Sequence, residues 1–213
     1  MRPAELEALL RAELSGQKDS AGRGIWTADH CVRTAHLAVA LRKETGALPQ
    51  MDSLLYLAGL FHDVAHDSAP HAIHGPVGAA RTHQLLSGRV DTALLQEAEE
   101  IIAVHDDRRP GDGRSAALHL VQDADMLDHF GTVRVWSIFG YSAKHERCLA
   151  ASLDRMELAQ AKLPQYLTLL HSEAARREMC RRLQTEASFA ACARAQSRGE
   201  LGAQLLSSDS FDG

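Results

Sequence analysis

An all-α fold is what this sequence predicts, on three observations. Ala and Leu are abundant while aromatic residues make up only 5% of the chain; apolar residues recur at helical spacing; and Gly and Pro fall mostly between the periodic runs. A length of 213 residues suits one domain with a sizeable core.

Residues 3 to 14, PAELEALLRAEL, read as a first helix with Pro3 in its opening turn, and the loop SGQKDSAGRG follows. A second helix is expected from Thr27 or Asp29 to Thr45, stopping at Gly46. A third starts at the N-cap candidate Asp52, carries Leu54, Leu55, Leu57, Leu60 and Phe61, and closes on His62 and Asp63. Pro76 and Gly88 bracket a fourth. Asp91 opens a fifth, in which Leu94, Ala98, Ile101, Ile102 and His105 share one face. After the polar loop DDRRPGDGRS, a sixth helix is expected from about Ala116 through DADMLDHFG and on to Phe139. Residues 145 to 197 read as two or three amphipathic helices with a break near Pro164, and the Ser, Asp and Gly content from Gly199 onward predicts a frayed tail.

The net charge of −5 argues against a nucleic-acid polymer or an anionic membrane as partner, since both need a basic surface. The basic run RREMCRR, 176 to 182, is interspersed with glutamates and has no aromatic platform, so it reads as a solvated helix face. No apolar stretch approaches the roughly 18 residues that span a bilayer. Cys31, Cys148, Cys180 and Cys192 are widely spaced with no C-x-x-C pair, and the N-terminus lacks a signal-peptide pattern, so a cytoplasmic protein with reduced thiols is expected.

Histidine and carboxylate are natural ligands of a divalent transition metal, provided several elements deliver them to one point. His30 lies in the second helix, His62 and Asp63 end the third, His105 ends the fifth, and Asp123 and Asp125 sit in the sixth. Adjacent helical residues point about 100° apart, so His62 and Asp63 can share a metal at a helix end or with the ion between them. Periodicity does not choose between Asp123 and Asp125, since each has apolar neighbours at i±3 or i±4.

The order H … HD … D resembles the HD-domain metal-dependent phosphohydrolases, an all-helical superfamily. The likeness runs closer to its YedJ-like bacterial branch through DHCVRTAHLA (29 to 38), LAGLFHDVAHD (57 to 67), IIAVH (101 to 105), VQDADMLDHFG (121 to 131) and AKLPQ (161 to 165). It covers roughly residues 25 to 195. The resemblance implies an HD-type helical bundle with additional C-terminal helices: an arm over 1–24, one domain over 25–198 with its metal core at 25–140 and covering helices at 141–198, and a flexible tail over 199–213. It also implies His30, His62, Asp63 and Asp125 as ligands of one metal, the second aspartate of DAD being the family's choice. His74 and His105 resemble the added ligands of binuclear members, with Asp63 then bridging two ions. His66, Met126 and His129 depart from the family pattern, which leaves phosphate contact and proton transfer open while leaving the four ligands untouched.

These readings make a metal-dependent phosphohydrolase the expected function, acting on a small-molecule phosphate ester or nucleotide through a metal-activated water. One or two divalent ions are expected, of Mn, Fe, Co, Ni or Zn, with Mg as a further option. Asp63 would hold the ion and orient the water, His66 or His105 would give the leaving oxygen its proton, and Arg33 would contact a substrate phosphate or pair with a carboxylate. Arg108 and Arg109 could recruit an anion, although a solvated loop is their expected state. A di-iron oxygenase of the HD fold is the rival enzyme, ranked second because His62 and His74 are only twelve residues apart. A metal-bound or nucleotide-bound module without turnover is the non-enzyme alternative. There is no P-loop or dinucleotide Gly-rich turn to name the substrate.

Overall fold

A computed structural model describes residues 1–15, 24–109 and 113–202. The loop expected after the first helix, the centre of DDRRPGDGRS and nearly all of the tail lie outside the described residues. Among the described residues there are ten α-helices and no strand. They cluster into two compact units, one of residues 1–128 with 169–175, the other of 129–168 with 176–213.

The first unit contains α1 (Pro3–Leu14), α2 (Gly24–Thr45), α3 (Asp52–Phe61), α4 (His74–Leu86), α5 (Thr92–Val104) and α6 (Ala116–Asp128). Helix α1 buries Leu6, Leu10 and Leu14, one residue per turn. Helix α3 is buried at Leu55 and continuously from Leu57 to Phe61, and such all-round burial makes it the central helix, packed against α1, α2, α5 and α6. Small residues set how closely its neighbour approaches. A Cβ added to Gly59 would lie 2.9 Å from Ala35 Cα, so Gly59 lets α2 and α3 pack backbone to backbone.

Several boundaries differ from expectation for identifiable reasons. Helix α2 begins at Gly24, ahead of the start expected at Thr27 or Asp29. Asp52 is the first residue of α3 and not its cap; its carboxylate accepts both arms of Arg42, at 2.6 and 2.7 Å. Helix α4 starts at His74, two residues before Pro76, because a proline in the first turn has no N–H that the helix would need. Asp91 caps α5 as expected, accepting from Leu94 N at 2.9 Å.

The sixth helix does not run to Phe139. It ends at Asp128, and Gly131, with φ of 83°, turns the backbone into a region that L side chains avoid before α7 (Thr132–Lys144) begins. Helices α8 (Leu149–Ala161), α9 (Leu163–Leu169) and α10 (Glu173–Ser197) follow, with Pro164 in the first turn of α9. The second unit packs around Ile138, Leu153, Met156 and Ala190. Inside it, Glu186 accepts the Gly131 N–H at 2.7 Å, and burial pushes its carboxyl up to about 7 against the lowering influence of that bond and of Arg134. In the basic run, Glu178 pairs with Arg181 and Arg182 at 3.0 and 2.8 Å. No described helix is long and apolar enough to cross a membrane, and no disulfide joins the four cysteines.

Candidate metal centre

Six side chains of the first unit converge. Three of them leave helix ends, where the chain can aim side chains that a continuing helix would fan apart: His62 follows the last residue of α3, His105 follows the last of α5, and His74 is the first of α4. Asp63 lies in the turn after α3, closed by His66 N donating to Asp63 O at 3.0 Å. His30 and Asp125 come from within α2 and α6. All four histidines are buried, with exposures of 8% for His30, 0% for His62 and 2% for His74 and His105.

Each histidine presents the same nitrogen. The Nδ1–H of His62 donates to Gly59 O at 2.8 Å, that of His74 to His71 O at 2.6 Å, and that of His105 to Ile102 O at 2.8 Å. These acceptors are carbonyls, so Nδ1 carries the proton and Nε2 carries the lone pair in the neutral ring. His30 Nδ1 is held by Asp128 at 2.8 Å, and Asp128 in turn accepts Arg33 Nε and Nη2, both at 2.8 Å. Burial would raise the Asp128 carboxyl, but His30 and Arg33 bring it down to about 2.

The four Nε2 atoms point into two pockets. In the first, His30 and His62 Nε2 are 3.1 Å apart, Asp125 Oδ1 lies 3.2 and 3.6 Å from them, and Asp63 Oδ2 lies 3.9 and 3.7 Å from them. In the second, His74 and His105 Nε2 are 3.2 Å apart, with Asp63 Oδ1 at 3.3 and 3.2 Å. Two nitrogens each about 2.0–2.1 Å from one ion would be roughly 2.9–3.4 Å apart at tetrahedral or octahedral angles. Both pairs fall in that interval, so the donors fit a divalent ion in each pocket, with one carboxylate oxygen of Asp63 facing each. His30, His62 and Asp63, and separately Asp63, His74 and His105, meet the ligand-atom spacing a metal needs.

The electrostatics also suit cations. Burial opposes charge on His30, yet contacts with Asp125 and Asp128 raise it to about 10. Burial likewise opposes charge on His62, and the Asp63 charge overrides it. The bond to Asp63 raises His74. Burial pushes Asp63 up, but the charge on His62 and the bonds from His105 and His74 hold it well below the usual carboxylate range.

Other predicted residues fall elsewhere. Asp123 is fully buried and accepts His171 N, Ser172 N and Ser172 Oγ at 2.8, 2.9 and 2.7 Å, so it anchors the start of α10. Arg33 makes the carboxylate pair that was one of the two roles foreseen for it, donating Nε and Nη2 to Asp128. Arg108 is not solvated: its Nη2 lies 2.6 Å from Asp125 Oδ2. Arg109 is exposed and pairs with Asp107. His105 spends Nδ1 on Ile102 O and aims Nε2 at the second pocket, 3.2 Å from Asp63 Oδ1. His66 stands at the rim, its ring 5.5 Å from that of His74, with Nδ1 donating to Asp67 Oδ1 at 3.0 Å; Asp67 Oδ2 accepts Thr27 Oγ1 at 2.7 Å.

Sequence reasoning missed three supporting residues. His71 offers its carbonyl to His74 and stacks on that ring at 5.0 Å. Asp128 orients His30 from 98 positions away. Gly75 lets α4 reach α5, since a Cβ there would lie 2.7 Å from Ala103 O. The i−3 carbonyl beneath His62, His74 and His105 was a findable signal, because a histidine at a helix end commonly has one within reach.

An all-α unit that gathers four buried histidines and two aspartates into paired pockets defines a class of helical metal-site protein. Residues 27–129, which carry all six donors, match the HD domain family. Among solved structures, the chain is similar to an HD-superfamily hydrolase of Bacillus thuringiensis at 22% identity, over 93% of this chain and 97% of that one, with a TM-score of 0.66. It is similar to YpgQ of Bacillus subtilis in complex with ADP at 18% identity, over 94% and 96% of the two chains, with a TM-score of 0.63. A predicted HD superfamily hydrolase from an uncultured Thermotogales bacterium gives 18%, 92% of each chain and 0.61. At these identities the likeness establishes the fold, and it does not single out the YedJ-like branch. No curated protein matches the chain.

Proposed function

We propose that this protein is a metal-dependent phosphohydrolase acting on a phosphate ester, with nucleotides as the first class to test. The observation that carries the reading is the pair of pockets sharing Asp63, each with two Nε2 lone pairs aimed inward. His30, His62, Asp125 and Asp63 would hold one divalent ion, and His74, His105 and Asp63 a second. Ions held there supply Lewis acidity toward a phosphoryl oxygen and lower the pKa of water from 15.7 toward about 7.

The chain's own residues do the rest. The Nδ1 bonds fix the tautomer and tilt of every ligand ring, as partners behind metal-bound histidines do. Asp63 orients the attacking water between the pockets. His66 gives the leaving oxygen its proton: Asp67 holds Nδ1, so Nε2 is the nitrogen that carries the transferable proton. His105 is a ligand and not the acid. The nucleotide suggestion is supported by the ADP complex of Bacillus subtilis YpgQ, a structure of similar fold.

The test is metal analysis of the purified protein followed by phosphate release from nucleoside mono-, di- and triphosphates with Mn²⁺ or Mg²⁺. Turnover lost with chelator and lost in Asp63→Ala is expected. Retention of metal and activity in Asp63→Ala would contradict the site. Four histidines and two aspartates also suit iron, so O₂ consumption by iron-loaded protein is the result that would favour the oxygenase reading. Tight nucleotide binding with no phosphate release would favour the silent module.

A further inference from the structure

Arg108 lies three residues beyond His105, a donor of the second pocket, and contacts Asp125, a donor of the first. Its Nη2 donates to Asp125 Oδ2 at 2.6 Å, while Asp125 Oδ1 faces His30 and His62. Its Nη1 donates to the carbonyl of Gln122, one turn earlier on α6. Gln122, itself 1% exposed, returns a bond from Nε2 to Asp107 O at 3.1 Å. The segment that leaves His105 is therefore latched to α6 in both directions, three residues beyond a ligand of the second pocket and onto the helix that supplies a ligand of the first.

Resting on the metal-site reading above, we propose that Arg108 is a positioning residue that holds Asp125 as a one-oxygen ligand and couples the two pockets mechanically. A carboxylate free at both oxygens can swing or chelate through both. With Oδ2 engaged by a charged donor in a fixed planar fork, only Oδ1 is offered to the ion. The Gln122 bonds keep α6 and the end of α5 in register, so a shift that spoils Asp125 also moves His105. Arg33 does a narrower task, since it acts on His30 alone through Asp128.

The experiment uses the full chain and Co²⁺ as probe, read by calorimetry and by the visible absorption bands that report coordination. Two backgrounds isolate the pockets: His74→Ala leaves the first, and His30→Ala leaves the second. Arg108→Gln is expected to weaken Co²⁺ about 10- to 100-fold in the first background, the usual loss when a ligand's supporting partner is removed, and to change band intensity as Asp125 Oδ2 loses its charged donor. A several-fold loss is expected in the second background. Arg108→Lys, which can reach Asp125 but cannot fork to Gln122, is expected to restore the bands in the first background and not the affinity in the second.

Unchanged affinity and bands for both variants in the first background would overturn the ligand-holding role. Unchanged affinity in the second background would overturn the coupling. A uniform loss in both backgrounds with unaltered bands and no rescue by lysine would mark Arg108 as merely structural and overturn the proposal. Failure of the unmodified chain to take up Co²⁺ would instead strike the metal-site reading itself.

Discussion

Replacing Gly75 by alanine puts one methyl group where two helices touch. The added Cβ would lie 2.7 Å from Ala103 O and 3.1 Å from Ile102 O. Ordinary contact begins at 3.4 Å, so the overlaps are 3.4 − 2.7 = 0.7 Å and 3.4 − 3.1 = 0.3 Å. Both atoms are backbone and cannot rotate aside, so α4 and α5 must separate by several tenths of an ångström. Ile102 O is also the acceptor that fixes His105 Nδ1. The displacement therefore reaches the second pocket twice, by moving His74 on α4 and by shifting the carbonyl that orients His105.

Overpacking of this kind costs about 1–3 kcal/mol, and the better helix propensity of alanine returns up to about 1 kcal/mol. A net loss of about 0–3 kcal/mol lowers Tm by up to about 12 °C for a chain of this size. Metal affinity is the sharper readout. Calorimetric titration of metal-free Gly75→Ala with Zn²⁺ is expected to keep one tight step and weaken the other about 10- to 100-fold. Two steps of unchanged affinity would refute the reasoning, as would a loss in a His74→Ala background, where only the first pocket remains.

Other substitutions separate roles that the sequence leaves merged. Asp123→Ala removes three hydrogen bonds to a buried carboxylate and is expected to cost about 2–4 kcal/mol, with metal stoichiometry unchanged; Asp125→Ala is expected to lose metal from the first pocket, and equilibrium dialysis with denaturant melts distinguishes them. Asp128→Asn leaves His30 and Arg33 without an anionic acceptor, so about 10- to 100-fold weaker binding in the first pocket is expected, seen by titration in the His74→Ala background. Glu186 is raised to about 7 in the folded protein from an ordinary 4.5. Its stabilising contribution is full below pH 4.5 and is lost as pH rises through 7, an effect on the order of 2–3 kcal/mol. Glu186→Gln is expected to remove that slope from a comparison of unfolding free energy at pH 5 and pH 8 with the unmodified chain, and an unchanged slope would contradict the assignment.

Local pattern carried much of this protein. The stripe Leu6, Leu10, Leu14, the continuous apolar run ending at Phe61, the Asp91 cap and the stop at Gly46 are short-range features, and a helix is decided largely at short range. The HD pair after a leucine-rich helix is local as well, and so is DAD. The break at Gly131 was less visible, because Leu127, Phe130, Val133 and Val135 keep an apolar rhythm across a residue whose positive φ interrupts the helix.

What the sequence by itself determined is the helical class, most element positions and the residue types able to hold a divalent ion. Only the tertiary structure decided how they meet. Asp123 and Asp125 have equivalent apolar neighbours along α6, yet one anchors the start of α10 and the other faces His30 and His62. Arg108 reads as a solvated cation in the chain and Arg33 as open between a phosphate and a carboxylate, yet both are bound to carboxylates in the fold. The second pocket depends on α4 and α5 touching at a residue without a side chain. Periodicity states which face of a helix is buried, but the partner of a buried polar atom is set by the rotation and spacing of helices far apart in the chain, and those follow from packing the whole core at once.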